Sequence, residues 1–168
     1  MVRHFSDFRG GLSAFVVAKA AAGAAAMRIF DLGAEVSCDN IVLGRKEGNL
    51  VFWALVKAQS RGRVEAPAAL LPEQWAIYAV VAQSTGRAAL YRNGAMVGAG
   101  STSQVTGPVR KNNVIGKAAA GGEHYAGELA ELLLYQRALS DAERQYIDAY
   151  LWAKHLDPTL PPVLPKHP

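Results

Sequence analysis

The chain has 168 residues, 51% of them hydrophobic and 19% charged, with a formal net charge of +4 and an isoelectric point near 9.3. That is enough to bury one sizeable core and too little for two ordinary domains. The apolar residues are too many and too evenly spread for a disordered or fibrous chain, and no run nears the roughly 20 apolar residues of a membrane helix. The positive excess is scattered as Arg45-Lys46, Arg61 with Arg63, and Arg110-Lys111, without interleaved aromatics. That pattern suits solvated loops and argues against a nucleic-acid stacking platform.

Near the N-terminus Arg3 and Arg9 precede the apolar run Leu12 to Ala18, as in a secretory leader, but Lys19 cuts the run to the short limit for such a segment. Leu12 to Ala18, Met27 to Leu32, Asn40 to Leu43 and Asn49 to Lys57 are short runs of Val, Ile, Leu, Phe and Trp divided by Gly, Asp and Asn, which is strand spacing. The Ala-rich piece between the first two is broken by Gly23, has no amphipathic stripe, and reads as a connection. Trp75 to Ala82, Ala88 to Arg92 and Ala95 to Val97 form a three-stranded meander. Asn93-Gly94 is its second turn, since a two-residue type I′ turn needs positive φ at both positions. Asn113 to Lys117 and Tyr125 to Gln136 add further strands. One helix is predicted, opening at Ser140 with Glu143 completing a capping box and ending near His155. Its Ile147, Tyr150, Leu151 and Lys154 make one stripe for docking. Pro158, Pro161, Pro162, Pro165 and Pro168 then mark a tail or linker. The reading is one domain over 1–156 and a Pro-rich tail over 157–168.

The lone cysteine, Cys38, cannot form an intrachain disulfide and has no Cys-X-X-Cys partner, so it reads as an inert thiol. No Gly-X-Ser-X-Gly elbow, P-loop or His-Glu-X-X-His is present. Glu128 and Glu131, three apart on a strand, should face opposite sides of the sheet and so cannot form a hydrolase's carboxylate pair. Trp75 and Tyr91 read as core aromatics, and Tyr125, after Gly121-Gly122 and His124, as the aromatic of an exposed loop.

Gly11 to Val17, Arg28 to Gly33, Asp39 to Arg45, Trp75 to Val81, Leu90 to Gly94, Val114 to Gly116 and Gly127 to Leu139 follow one another in the order of a known pattern. Over Leu12 to Leu156 the chain resembles the laminin-G-like, concanavalin-A-like jelly-roll family. The resemblance implies an all-β, two-sheet antiparallel jelly-roll sandwich with one short C-terminal α-helix. It also implies relatives that bind glycans or proteins, sometimes through calcium in a rim loop. Calcium takes six to eight oxygens; Asp31, Asp39 and Asn40 are its candidate ligands, against the plainer reading of turn-forming Asx residues. Asp39, Asn40, Arg45, Asn113, His124 and Tyr125 are the candidate ligand-binding residues, with His124 otherwise a solvated loop histidine.

The function expected is a non-catalytic carbohydrate- or surface-binding module of a larger exported protein, extracellular or at the cell surface. Its partners would be a glycan or cell-surface molecule and other domains of the parent, with no nucleic acid and no membrane span. A structural or assembly jelly roll is the first alternative, and a polysaccharide lyase or glycoside hydrolase the second.

Overall fold

The computed structural model describes residues 8–23, 25–34, 38–60, 62–105, 109–157 and 159. Arg3, Arg61 and all but Asp157 and Thr159 of the tail lie outside them. Among the described residues eleven strands form: β1 (Leu12–Ala20), β2 (Ala26–Gly33), β3 (Ile41–Lys46), β4 (Asn49–Val56), β5 (Gln59–Ser60), β6 (Val64–Ala66), β7 (Trp75–Ala82), β8 (Arg87–Arg92), β9 (Ala95–Ser101), β10 (Asn112–Ile115) and β11 (Gly127–Tyr135). They make two antiparallel sheets, one ordered β11-β1-β7-β8-β9 and one ordered β10-β2-β3-β4-β5, with β6 also paired to β4. The expected sandwich is therefore present.

The core lies where alternate residues of the two sheets meet. β1 sends Leu12, Ala14, Val16 and Ala18 inward against Phe30, Leu43 and Phe52 of the facing sheet. Its other face is apolar as well. Phe15 and Val17, with Ile77 and Ala79 of β7, pack under Leu139, Ile147, Tyr150 and Leu151 of the C-terminal segment. β1 is thus buried on both sides, and the helix α1 (Asp141–Leu151) is the layer that covers it. Ser140 caps α1, accepting the Glu143 N–H while the Glu143 side chain accepts the Ser140 N–H, as the capping box predicts. A π turn, Trp152–Leu156, continues the helix to the expected end.

Buried Ser13 of β1 fixes how the chain enters α1. Its hydroxyl donates to the Arg137 carbonyl at 3.0 Å and accepts the Leu139 N–H at 2.9 Å. Arg144 and Asp148 form a buried pair at 2.6 Å under the helix, and Arg144 also donates to the Gly94 carbonyl at 3.2 Å. The helix is thereby tied to the Asn93-Gly94 turn, where φ is 49° and 79° as the type I′ reading requires.

Two local expectations are corrected. Trp75, read as core, is 37% exposed at the start of β7, with the Lys19 ammonium 5.6 Å from its ring centroid. Glu128 and Glu131 share the outer face, because a bulge between Val17 and Ala18 pairs Glu131 with Val17 and Glu128 with Lys19. Glu128 is paired to Lys19 at 2.5 Å, and Glu131 to Lys154 at 2.9 Å and His155 at 2.6 Å.

Gly127 opens β11 at φ 141°, and a Cβ there would stand 2.2 Å from the Lys19 carbonyl oxygen. Gly127→Ala should lower the melting temperature well beyond a surface Gly→Ala change. Ser13→Ala should cost about 1–3 kcal/mol in denaturant titration, since it strands a buried N–H and carbonyl. Burial pushes the Asp148 carboxyl up to about 6, with Arg144 offsetting only part of the shift. The native state then holds this proton to higher pH than the unfolded chain, so its contribution to stability falls as pH rises from 3.8 to about 6. Comparing Asp148→Asn with wild type across that window should show the falling component only in wild type.

Candidate functional site

The sequence-derived residues divide into two places. Asp31, on the outer face of β2, is buried; its Oδ1 accepts Asn40 Nδ2 at 2.6 Å and its Oδ2 accepts the Ala119 N–H at 3.1 Å. Asp39, in the left-handed region at φ 53°, accepts the Lys57 N–H at 3.2 Å and the Cys38 thiol at 3.1 Å. The Asp39 carbonyl accepts Arg110 Nε at 3.2 Å, and the Arg110 carbonyl accepts Asn113 Nδ2 at 3.1 Å. Asp31, Asp39, Asn40 and Asn113 therefore converge, with Arg110 between them, at one rim of the sandwich.

Arg45, His124 and Tyr125 do not join that group. Arg45 is five residues from Asn40, about 16 Å along β3 at the usual rise. His124 is exposed. Tyr125, expected to offer its ring to solvent, instead packs against the inter-sheet core with its hydroxyl buried. Burial holds that hydroxyl well above the usual tyrosine range.

As arranged, the rim residues do not fit a calcium ion. Both Asp31 oxygens face N–H donors, a guanidinium lies against Asp39, and Asn40 Oδ1 is the buried oxygen with no partner. Calcium needs six to eight oxygens, and the described residues hold no group of three or more His, Cys, Asp or Glu placed for a metal. What the cluster does is close the rim: Asp39 supplies the turn geometry and Asp31 pins the loop carrying Ala119.

A second feature, not foreseen from the sequence, is a groove of about 610 Å³ on the outer face of β7, β8 and β9, beside the start of α1. Small residues make it. Ala89 and Ala99 stand opposite each other in the ladder and, with Val81 and Gly100, leave a low floor where α1 does not reach. Its sides are Gln83, Arg87, Tyr91 and Ser101, and its end is Leu139, Ser140 and Asp141. Tyr91 is held by the Arg144 guanidinium, 4.1 Å from the ring centroid, which the Asp148 pair fixes in turn. The groove thus offers an aromatic edge beside an amide, a guanidinium, two hydroxyls and a carboxylate. The sequence signal for it was the weak one of small residues alternating on β8 and β9.

The family profile described as the concanavalin A-like lectin/glucanases superfamily matches residues 10–143. No curated protein matches the chain in sequence. Among solved structures, the chain is similar to a heptameric pentraxin from Limulus polyphemus, with TM-score 0.58 and 21% identity over 89% of this chain and 73% of that one. It is similar to the sialidase module CBM40 of Ruminococcus gnavus bound to α2,3-sialyllactose, with TM-score 0.61 and 14% identity over 83% of each chain. It is also similar to domain 4 of the arabinanase AbnA of Geobacillus stearothermophilus in complex with arabinotriose, with TM-score 0.64 and 17% identity over 83% of this chain and 66% of that one. At these identities the likeness is one of fold.

Asp39→Ala should lower the melting temperature by the same amount with calcium and with chelator. A calcium-dependent rise in wild type that the variant loses would restore the metal reading of the rim.

Proposed function

The chain belongs to the concanavalin A-like lectin/glucanases superfamily, and from that premise we propose that it is a non-catalytic carbohydrate-binding module that takes its glycan in the groove beside α1. The observation that carries this reading is the groove itself. An oligosaccharide presents alternating apolar ring faces and hydroxyls, and Tyr91 stands beside Gln83, Arg87, Ser101, Ser140 and Asp141 on a floor low enough to admit a sugar. Sites of this kind combine an aromatic or apolar surface with a few polar groups that fix orientation. The solved modules of like fold that hold sialyllactose and arabinotriose support a glycan as the ligand class. The same likeness supports a place outside the cell, as part of a larger exported protein. Glu128 and Glu131, although on one face, are each committed to cationic side chains and serve as anchors for β1 and the C-terminal turn.

An assembly role is favoured by a different feature. Ile115 is 59% exposed on β10, next to an apolar hollow of about 200 Å³ formed with Phe8, Leu32 and Leu134. A self-association interface would bury about 1,000 Å² or more, and sedimentation as a monomer at high concentration would remove that role.

A glycan-array screen of the purified chain, with and without chelator and followed by a reducing-end assay on each hit, tests the proposal. Binding that survives chelation and releases no reducing ends is the expected result. Ala99→Trp, which fills the groove from an exposed floor position, should weaken binding by at least about tenfold, or about 1.4 kcal/mol, with melting temperature unchanged. New reducing ends, or undiminished binding by Ala99→Trp, would overturn it.

A further inference from the structure

The floor of the groove is one transverse row of the sheet. Ser13 of β1 stands opposite Val81 of β7, Val81 opposite Ala89 of β8, and Ala89 opposite Ala99 of β9. Residues opposite each other share a face, so these four lie side by side on the outer surface. At Ser13 the row is blocked by the chain itself. The Ser13 hydroxyl donates to the Arg137 carbonyl and accepts the Leu139 N–H, which lays the backbone at 137–139 against it. At the other end β9 is the last strand of the sheet, and Ala99 is exposed. The two long sides differ in chemistry. Gln83, Arg87 and Ser101 make the next row, since the Gln83 N–H donates to the Arg87 carbonyl at 2.8 Å and Arg87 stands opposite Ser101. Facing them is Tyr91, held by Arg144 and, through it, by Asp148.

A trough closed at one end and open at the other selects which part of a polymer enters it. From Val81 to Ala99 is two strand spacings, about 10 Å, room for roughly two sugar rings end to end. An internal stretch of a glycan needs a way out at both ends. Here a chain entering over β9 stops against Leu139, Ser140 and Asp141, and passage along the strands is blocked at Tyr91. The stop does not give way easily, because Ser13 is buried and the capping box fixes Ser140. It also carries an acceptor: Asp141 is the carboxylate of the groove, with its side chain 81% exposed. A terminal sugar has a hydroxyl where an internal one has its next linkage, and a hydroxyl can donate to a carboxylate. Building on the carbohydrate reading above, we propose that the groove recognises a chain terminus, with the last sugar against Leu139 and its unlinked hydroxyl donating to Asp141.

Calorimetric titration of the full chain with oligosaccharides from disaccharide to hexasaccharide, built on the sugar and linkage of the array hits, tests this. Affinity should stay within about twofold across the series, and a long polymer should take up one protein per chain. O-methylation of the terminal sugar, one end of the oligosaccharide at a time, should cost at least about tenfold at one end and little at the other. Asp141→Ala should weaken disaccharide and hexasaccharide by one common factor, and Asp141→Asn, which keeps an acceptor, should lose less. Affinity that climbs tenfold or more with length, many proteins bound along one polymer chain, or undiminished binding by Asp141→Ala would overturn terminus recognition and leave the carbohydrate reading in place. No binding at any length would remove that reading, and terminus recognition with it.

Discussion

The structure depends on β1 being buried on both faces. A strand that presents Leu12, Ala14, Val16 and Ala18 to one side and Phe15 and Val17 to the other cannot sit at a solvent-facing surface. Its neighbours β7 and β11 inherit the constraint through their pairing with it. The inner face is satisfied by the second sheet; the outer face needs a third layer, and the chain supplies it last, from Leu139 through the π turn. Two polar devices hold that layer in register. Ser13 reaches out of β1 to the backbone at 137–139, and the Arg144–Asp148 pair locks the helix to the β8–β9 turn.

The groove follows from how far this cover extends. α1 shields the outer face over β11, β1 and β7, while β8 and β9 stay open and carry Ala89 and Ala99 where bulk would otherwise fill the space. The residues that end the groove, Leu139, Ser140 and Asp141, are placed by the same Ser13 and capping-box contacts that dock the helix. Packing of the core and formation of the candidate site are therefore one event. The rim differs in kind: there Asp31, Asp39, Asn40, Asn113 and Arg110 spend their hydrogen bonds on each other and on local backbone, which closes the end of the sandwich.

Much of this architecture was legible in the sequence because it is written in local chemistry. Asn93-Gly94 announces its turn through the φ it must adopt, Ser140 with Glu143 announces a helix start, and the longer apolar runs announce their strands within a residue or two. What escaped is non-local. β5 and β6 are two and three residues long and exist only because β4 offers them an edge. The bulge that turns Glu131 to the face of Glu128 depends on the partner strand's register, which no period-two count reveals. The turn-forming role of the Asx residues at the rim could be weighed from composition, but their convergence through Arg110, 71 residues from Asp39, could not. Trp75 and Tyr125 exchanged expected environments because exposure at a strand end is set by what packs across it, in these cases by Lys19 and by the facing sheet.

The central claim is that recognition occurs on the uncovered part of the outer sheet, at a place defined by the helix. Chemical-shift mapping of the isotopically labelled chain, titrated with an oligosaccharide drawn from the array hits, tests it most directly. The account predicts perturbations concentrated at Gln83, Arg87, Tyr91, Ser101 and Ser140 while Asp39, Asn40 and Asn113 stay in place. Perturbations concentrated at those rim residues instead would contradict it.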